Sequence, residues 1–358
     1  MASGLPTERK TMSRNTRINS AVTHGNLALE RVLRNLQDSI GAGYPGNIYY
    51  VAQADTDYYS VLYDAVYQKY NDGSVSIHNT IQGAVDAAKE LRGDVIYVMP
   101  DKWKEQVVIE DKGGLKIFGV MHGWETQMRS GDATTKYPWT PAGTPTGALT
   151  GGAAFYVLSR SVEIAGFCFD GGGGYSGIYV GDGDVVAGLA STNNNAASVW
   201  IHDNLFEGQG EGHYGIDLEG CGSGAVIEHN VFNKWTKDAI RVGSYSSRSN
   251  QAPVIRENDF LAGNSGYGVD IINIAGGNVN TLVSKNTFRD GKSLAFTAAV
   301  NSVTTDGVTG IIGNHFGTVL SIIAQATDRV SGNYFVTNGN ATPASNDYVT
   351  EEVMGEEN

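Results

Sequence analysis

Asp217, Arg241 and Asp270 carry a pattern that chemistry could use. Each stands between two aliphatic residues, in Ile216-Asp217-Leu218, Ile240-Arg241-Val242 and Val269-Asp270-Ile271, and Tyr179 holds the same place in Ile178-Tyr179-Val180. Carboxylates flanking a guanidinium equip two reactions. A pair of acids cleaves a glycosidic bond, and acids with an arginine assist elimination from a uronic acid. The plainer meaning is a charge ladder on a solvated sheet face, where opposite charges on neighbouring strands fix register and contribute roughly a few tenths of a kcal/mol. The ladder is favoured because His202, Glu228, Arg256 and Ser284 form a second column of the same alternating kind. No catalytic residue is therefore assigned, and Asp217, Arg241 and Asp270 are held as candidates. His213, Glu211 and Glu219 lie near one loop and come next for mutation if activity is found. Asp182 and Asp184 in GDGD read as an exposed glycine-rich loop in preference to a cation site. No metal or cofactor is expected.

The elements that must carry these columns are set by a repeat. WIHDNLF, VIEHNVF, VIRENDF, LVSKNTF, GIIGNHF and RVSGNYF each place an Asn two residues before a Phe. The pairs are Asn204 and Phe206, Asn230 and Phe232, Asn258 and Phe260, Asn286 and Phe288, Asn314 and Phe316, and Asn333 and Phe335, at Asn spacings of 26, 28, 28, 28 and 19. Short β-branched runs at this period predict coils of a β-solenoid in preference to a helical repeat. Alternation within a strand then points Ile201, Ile227, Ile255, Val283, Ile311 and Val330 inward as one stack and the Phe residues as another. Asn is expected at a tight turn because it tolerates left-handed backbone, and its amide can bond to the Asn above and below. A second strand follows each Phe: 177–180, 215–218, 239–242 and 268–271. An earlier coil runs from Val162 to Phe169, with Gly166 in the Asn position and a surplus loop over Gly181 to Ala197.

Upstream, Asn79 or Thr80 caps an amphipathic helix with Ile81, Ala84, Val85 and Ala88 on its apolar face, ended by Gly93 and followed by a strand over Val95 to Met99. Such a helix would cover the unpaired first coil and block edge-to-edge growth. Composition agrees: 47 glycines and 8 prolines beside 41% hydrophobic residues suit short strands joined by many turns. The predicted fold class is all-β, a right-handed parallel β-helix with an N-terminal helical attachment segment and a capping helix. Its parts are an attachment segment over 1–46, a cap region over 47–92, the β-helix over 93–338 and an acidic tail over 339–358.

The net charge of −13 repels phosphate backbones, so nucleic acid is not an expected partner. No membrane span and no secretory leader are expected, and Cys168 and Cys221 are read as small buried hydrophobes.

The capping helix, then GDVIYVMP, VVI and LKIFGV, resembles the first coils of the pectin-lyase-like β-helix superfamily, a likeness covering residues 77–335. That resemblance implies the fold and leaves activity open, since the superfamily holds lyases, hydrolases, esterases and viral proteins without known catalysis. The chain shows no Gly-His-Gly with a downstream Arg-x-Lys of the polygalacturonase type and no stacked Asp set for the calcium of a pectate lyase.

Ile18, Val22, Leu29, Val32, Leu36 and Ile40 approach a heptad seam and predict an oligomerisation or docking helix, or one packed on its own solenoid. The tyrosine-dense segment 47–70 suits an interface or the flank of the cap. The order of these parts resembles virion structural proteins of tailed bacteriophages. That resemblance implies a homotrimer assembled in the host cytoplasm, attached to other virion proteins through its N-terminal region, with the β-helix projecting toward a host surface glycan. Head decoration is favoured over a tailspike. The alternative is a polysaccharide lyase or glycoside hydrolase acting on host glycans. A non-catalytic glycan binder would need exposed aromatics such as Tyr179 and Tyr245.

Overall fold

The computed structural model describes residues 46–53, 76–120, 126–129, 152–170, 176–181, 196–208, 214–219, 222–234, 237–243, 250–262, 268–272, 280–289, 298–303, 308–317, 322–324 and 328–335. Ile18, Val22, Leu29, Val32, Leu36 and Ile40 lie outside these residues, as do Cys221, Asp182, Asp184, Glu211, His213 and Tyr245.

A complete coil places one short strand in each of three parallel sheets. Trp200–His202 joins the first sheet, Leu205–Glu207 the second and Ile216–Glu219 the third, and Val226–Glu228 starts the next coil back in the first. Among the described residues these three sheets contain 11, 9 and 8 strands. Like positions of successive repeats lie opposite one another, as in Ile201 to Ile227 to Ile255 and Phe206 to Phe232 to Phe260. Coils stacked in this way form a parallel β-helix.

Alternation in the strands supplies the core. Ile201, Ile227, Ile255, Val283 and Ile311 are buried in one inward column, and Val330 on the last coil is half-buried. Phe169, Phe206, Phe232, Phe260, Phe288 and Phe316 form another, with successive ring centroids 4.8, 4.7, 5.0, 4.5 and 5.1 Å apart and planes within 12° of parallel. These separations follow the strand spacing, so each ring covers the faces of its neighbours and contributes roughly 1.5 to 3 kcal/mol by burial. Phe335 is in backbone register with Phe316. Small residues of the third sheet make room for the rings: a methyl group on Gly215 would lie 2.9 Å from the Phe232 ring and 2.5 Å from the Ala239 carbonyl oxygen.

The turn between the first and second sheets differs from the sequence expectation. The left-handed residue is the one before each Asn: Asp203, His229, Glu257 and Lys285 have φ between 53° and 56°, and Gly313 and Gly332 have 66° and 63°. The Asn side chain instead turns inward and is buried. Asn258 shows the pattern: its Nδ2 donates to the carbonyls of Ile227 and Arg256 and to Asn286 Oδ1, while its Oδ1 accepts from the backbone N–H and Nδ2 of Asn230. Burial of polar backbone at a corner without such partners would be costly. Gly166, with φ 83°, is the counterpart of Asp203, so Phe167 and not Gly166 takes the Asn place in that coil. The ladder closes there, where Asn204 Oδ1 accepts from the Phe167 N–H.

The helix spans Ile81–Ala87, with Thr80 as its N-cap accepting from the Gly83 N–H at 3.0 Å. Ile81, Ala84, Val85 and Ala88 are buried against the first coil. It ends well before Gly93. Ala88 is already extended, and the Lys89 N–H donates to Asp94 Oδ2 at 2.8 Å, so the side chain of Asp94 draws the backbone out of the helix.

Strand Ile48–Val51 lies between Ser76–His78 and Val95–Val98, which joins the N-terminal segment to the first sheet. Asp94 locks this junction, because its carboxylate also accepts from the Asn47 N–H at 2.7 Å and from Arg92. Arg92 in turn donates to the Tyr49 hydroxyl, and that hydroxyl donates to the Ala87 carbonyl.

Candidate functional site

The third sheet aligns Tyr179, Asp217, Arg241 and Asp270 on consecutive strands. Pleating sends the aliphatics flanking Tyr179, Asp217 and Arg241 inward and these three side chains outward. Among the described side chains of this face, the expected solvated ladder is replaced by a buried group. Tyr156, Tyr179 and Asp217 have no exposed surface, and Glu219 and Arg241 are buried with them. Tyr156 and Tyr179 pack with Ala153, Leu158 and Tyr214 in a small apolar cluster of their own, outside the main core. Period-two reasoning identifies which residues face out, but it does not say what lies over them.

The buried group is tightly paired. Arg241 Nε donates to Asp217 Oδ1 at 2.8 Å, Nη1 donates to the Tyr214 hydroxyl at 3.1 Å, and Nη2 forms an ion pair with Glu219. The guanidinium also sits 4.6 Å from the centroid of the Tyr214 ring, a cation–π contact in a desolvated place. One cation faces two carboxyls. Burial raises the Asp217 pKa above the ordinary aspartate value against the opposing pull of Arg241. Burial likewise pushes the Tyr214 hydroxyl up to about 12, which keeps it protonated. Asp217 Oδ2 has no hydrogen-bond partner among the described residues. Such a set resembles a proton donor in composition, but bulk substrate has no route to atoms without exposed surface. Asp270 shares the register, and its side chain lies outside the description.

The first sheet carries the second column, and there the ladder reaches solvent. Lys116 Nζ pairs with Glu163 Oε2 at 2.7 Å, and Glu163 Oε1 bonds His202 Nε2 at 3.1 Å. His202 Nδ1 meets Asp203 Oδ2 at 2.9 Å, and its ring stacks on the indole of Trp200 with centroids 4.1 Å apart. Trp200 Nε1 donates to Glu228 Oε1 at 2.9 Å, and Arg256 Nε donates to Glu228 Oε2 at 2.6 Å. Burial opposes protonation of His202, and its hydrogen bonds to the Glu163 and Asp203 carboxylates outweigh it, so its pKa lies above the usual histidine value. The sequence columns include His202, Glu228, Arg256 and Ser284 but miss Trp200, Glu163 and Lys116. The available signal is that Trp200 immediately precedes the inward Ile201, which forces the indole outward. Tyr179, by contrast, is buried and offers no exposed aromatic surface.

Cys168 is buried. No group of three or more His, Cys, Asp or Glu side chains among the described residues is arranged to hold a metal ion. No described helix is long and apolar enough to cross a membrane.

No family model matches the chain, and no curated protein matches it. Solved structures similar to it include a pectin methylesterase from Aspergillus niger, at 13% identity and a TM-score of 0.43, covering 87% of this chain and 95% of that one. Carrot pectin methylesterase is similar at 11% identity and a TM-score of 0.41, with coverage of 83% and 84%. DFA-IIIase from Arthrobacter chlorophenolicus A6 is similar at 18% identity and a TM-score of 0.38, with coverage of 82% and 90%. The fold rests on the chain's own strand registers.

Proposed function

We propose that this chain is a non-catalytic structural protein of a tailed-bacteriophage particle, a β-helix attached through its N-terminal region and projecting outward, with head decoration favoured over a tailspike role. The observation that carries the non-catalytic part is the sealing of Asp217, Glu219 and Arg241, whose side chains expose 0%, 1% and 5% of their surface. Groups held in this way fix coil register and cannot meet a polymer. The assignment to a particle rests on the order of parts described from the sequence, an N-terminal segment, a capping helix and a solenoid. The fold suits projection, because each coil adds about 4.8 Å of length at nearly constant width. Homotrimerisation, assembly in a host cytoplasm and contact with other virion proteins belong to the same proposal.

A second reading, a polysaccharide lyase or glycoside hydrolase, is favoured by one observation: two carboxyls flank Arg241, and one of them, Asp217, has a raised pKa. The readings separate in two measurements on the full chain. Gold-labelled antibody raised against it should decorate tailed particles at fixed, symmetry-related positions. Incubation with polygalacturonate, alginate and capsular polysaccharide should release no reducing ends and no unsaturated product. Turnover together with unlabelled particles would reverse the assignment.

A further inference from the structure

We propose that the outer face of the first sheet around Trp200 is a binding site for an acidic oligosaccharide laid along the axis of the solenoid. The site goes beyond the structural role above and depends on no catalytic step.

The first observation is a prepared aromatic platform. Trp200 keeps 40% of its surface exposed, yet its indole is held from behind by His202 and at its edge by Glu228. His202 is itself fixed by Glu163 and Asp203, and Glu228 by Arg256. An exposed indole left free to rotate would lose entropy on binding, and one held by two neighbours that are themselves fixed loses little. A pyranose ring offers an apolar C–H face to stack on such a surface and hydroxyls to bond at its rim.

The second observation is the depth order of the charges. In the Lys116–Glu163 and Arg256–Glu228 pairs on either side of Trp200 the cation is the more exposed partner, whereas in the His202–Asp203 pair it is the acid. Lys116 is 31% exposed above Glu163 at 11%, and Arg256 is 47% exposed above Glu228 at 7%. Next to Arg256, Lys285 at 71% is likewise more exposed than its partner Glu257 at 37%. Asp203, 46% exposed, is the acid that faces outward beside the platform, and it is engaged by His202. In a chain of net charge −13 the indole is thus bracketed by cations.

Strand order sets the geometry. The strands of Lys116, Glu163, Trp200, Glu228 and Arg256 are consecutive in the first sheet. Lys116 therefore lies two coils to one side in the column of Trp200, and Arg256 two coils to the other side in the adjacent column of His202, roughly 10 Å each way along the axis at the usual strand spacing. An extended anionic chain lying along the axis would meet cation, indole and cation in turn. A neutral glycan would leave both cations unused. Single-stranded nucleic acid also combines stacking with cations, but its grooves offer an aromatic surface to successive bases, and here one indole stands between two cations.

The test uses purified full-length protein and immobilised polygalacturonate, alginate and heparin, with dextran and oligo-dT as comparators. Binding to at least one acidic polysaccharide and none to dextran is expected. Trp200→Ala should weaken it by about tenfold or more. Arg256→Gln, an exposed change that leaves the Trp200 to Glu228 bond in place, should weaken it less and flatten its dependence on salt. Circular dichroism of both variants should match the parent. Binding to none of the three acidic polymers, equal binding to dextran, tighter binding to oligo-dT, or binding unchanged in both folded variants would each overturn the proposal.

Discussion

Arg241 and Asp217 stand on adjacent coils with Nε 2.8 Å from Oδ1, and both side chains are buried. A charge pattern that reads as a surface ladder is thus part of the interior. The pair is held between the third sheet and Tyr214, and its removal should register as lost stability before anything else. The same burial logic makes the rest of the solenoid testable residue by residue.

Phe260 lies between Phe232 and Phe288 with no exposed surface. Phe260→Ala leaves a cavity with a ring above and below it and should cost roughly 3 to 5 kcal/mol in denaturant unfolding. A loss below about 1 kcal/mol would show that the coils close over the gap.

Gly215 faces the Phe232 ring in a column that continues as Ala239, Gly268 and Ala299. Alanine on two coils shows that a methyl group is accommodated where the backbone allows it. Gly215→Val adds a branched side chain where one carbon already lies 2.9 Å from the ring, and should cost about 1 to 3 kcal/mol or more through displaced packing. The change in melting temperature measures this, with Gly215→Ala the milder variant.

Asn258→Ala removes the acceptor of the Asn230 N–H and the donor to the Ile227 and Arg256 carbonyls. Each buried group left without a partner costs about 1 to 3 kcal/mol. Hydrogen exchange at the Asn230 amide should accelerate more than at amides two coils away. Uniform acceleration would mean that the whole solenoid had loosened instead.

Burial pushes the Asp94 carboxyl up, but the hydrogen bonds from Arg92 and from the Lys89 and Asn47 N–H groups outweigh it and hold its pKa below the ordinary value. A depressed folded pKa contributes stability that is fully present above the unfolded value, about 3.9, and is lost as pH falls through the folded value. Unfolding midpoints followed down through this window should drop in the parent protein. In Arg92→Gln the pKa should sit closer to 3.9, so the stability near neutral pH should be lower and its acid dependence shallower.

The solenoid is legible in the sequence because each coil repeats the same inward residues; Ile227, Asn230 and Phe232 alone predict their neighbours above and below. The exact turn is less so. Asn and the left-handed residue before it are adjacent, and residue preference places the strain on Asn, whereas the backbone places it on Asp203, His229, Glu257 and Lys285. The helix end differs from expectation for a similar reason: Gly93 is a strong stop signal, but Asp94 bonds the Lys89 N–H and halts the helix earlier. At the candidate site the register of Tyr179, Asp217 and Arg241 follows from the repeat, while burial depends on residues outside it, such as Tyr214. Trp200 is not legible from the repeat because it is an aromatic that occurs on one coil, outside the repeating polar positions.

The central claim is that the Asp217, Glu219 and Arg241 group is structural. A double-mutant cycle with Asp217→Leu and Arg241→Met, read by denaturant unfolding and by polysaccharide turnover, tests it most directly. Arg241→Met should lose roughly 3 to 5 kcal/mol by stranding two buried carboxyls, Asp217→Leu should lose less because Glu219 still pairs with Arg241, the double variant should recover part of the Arg241→Met loss, and turnover should be absent throughout. Single variants as stable as the parent, in a protein whose turnover of an acidic polysaccharide they abolish, would contradict the account.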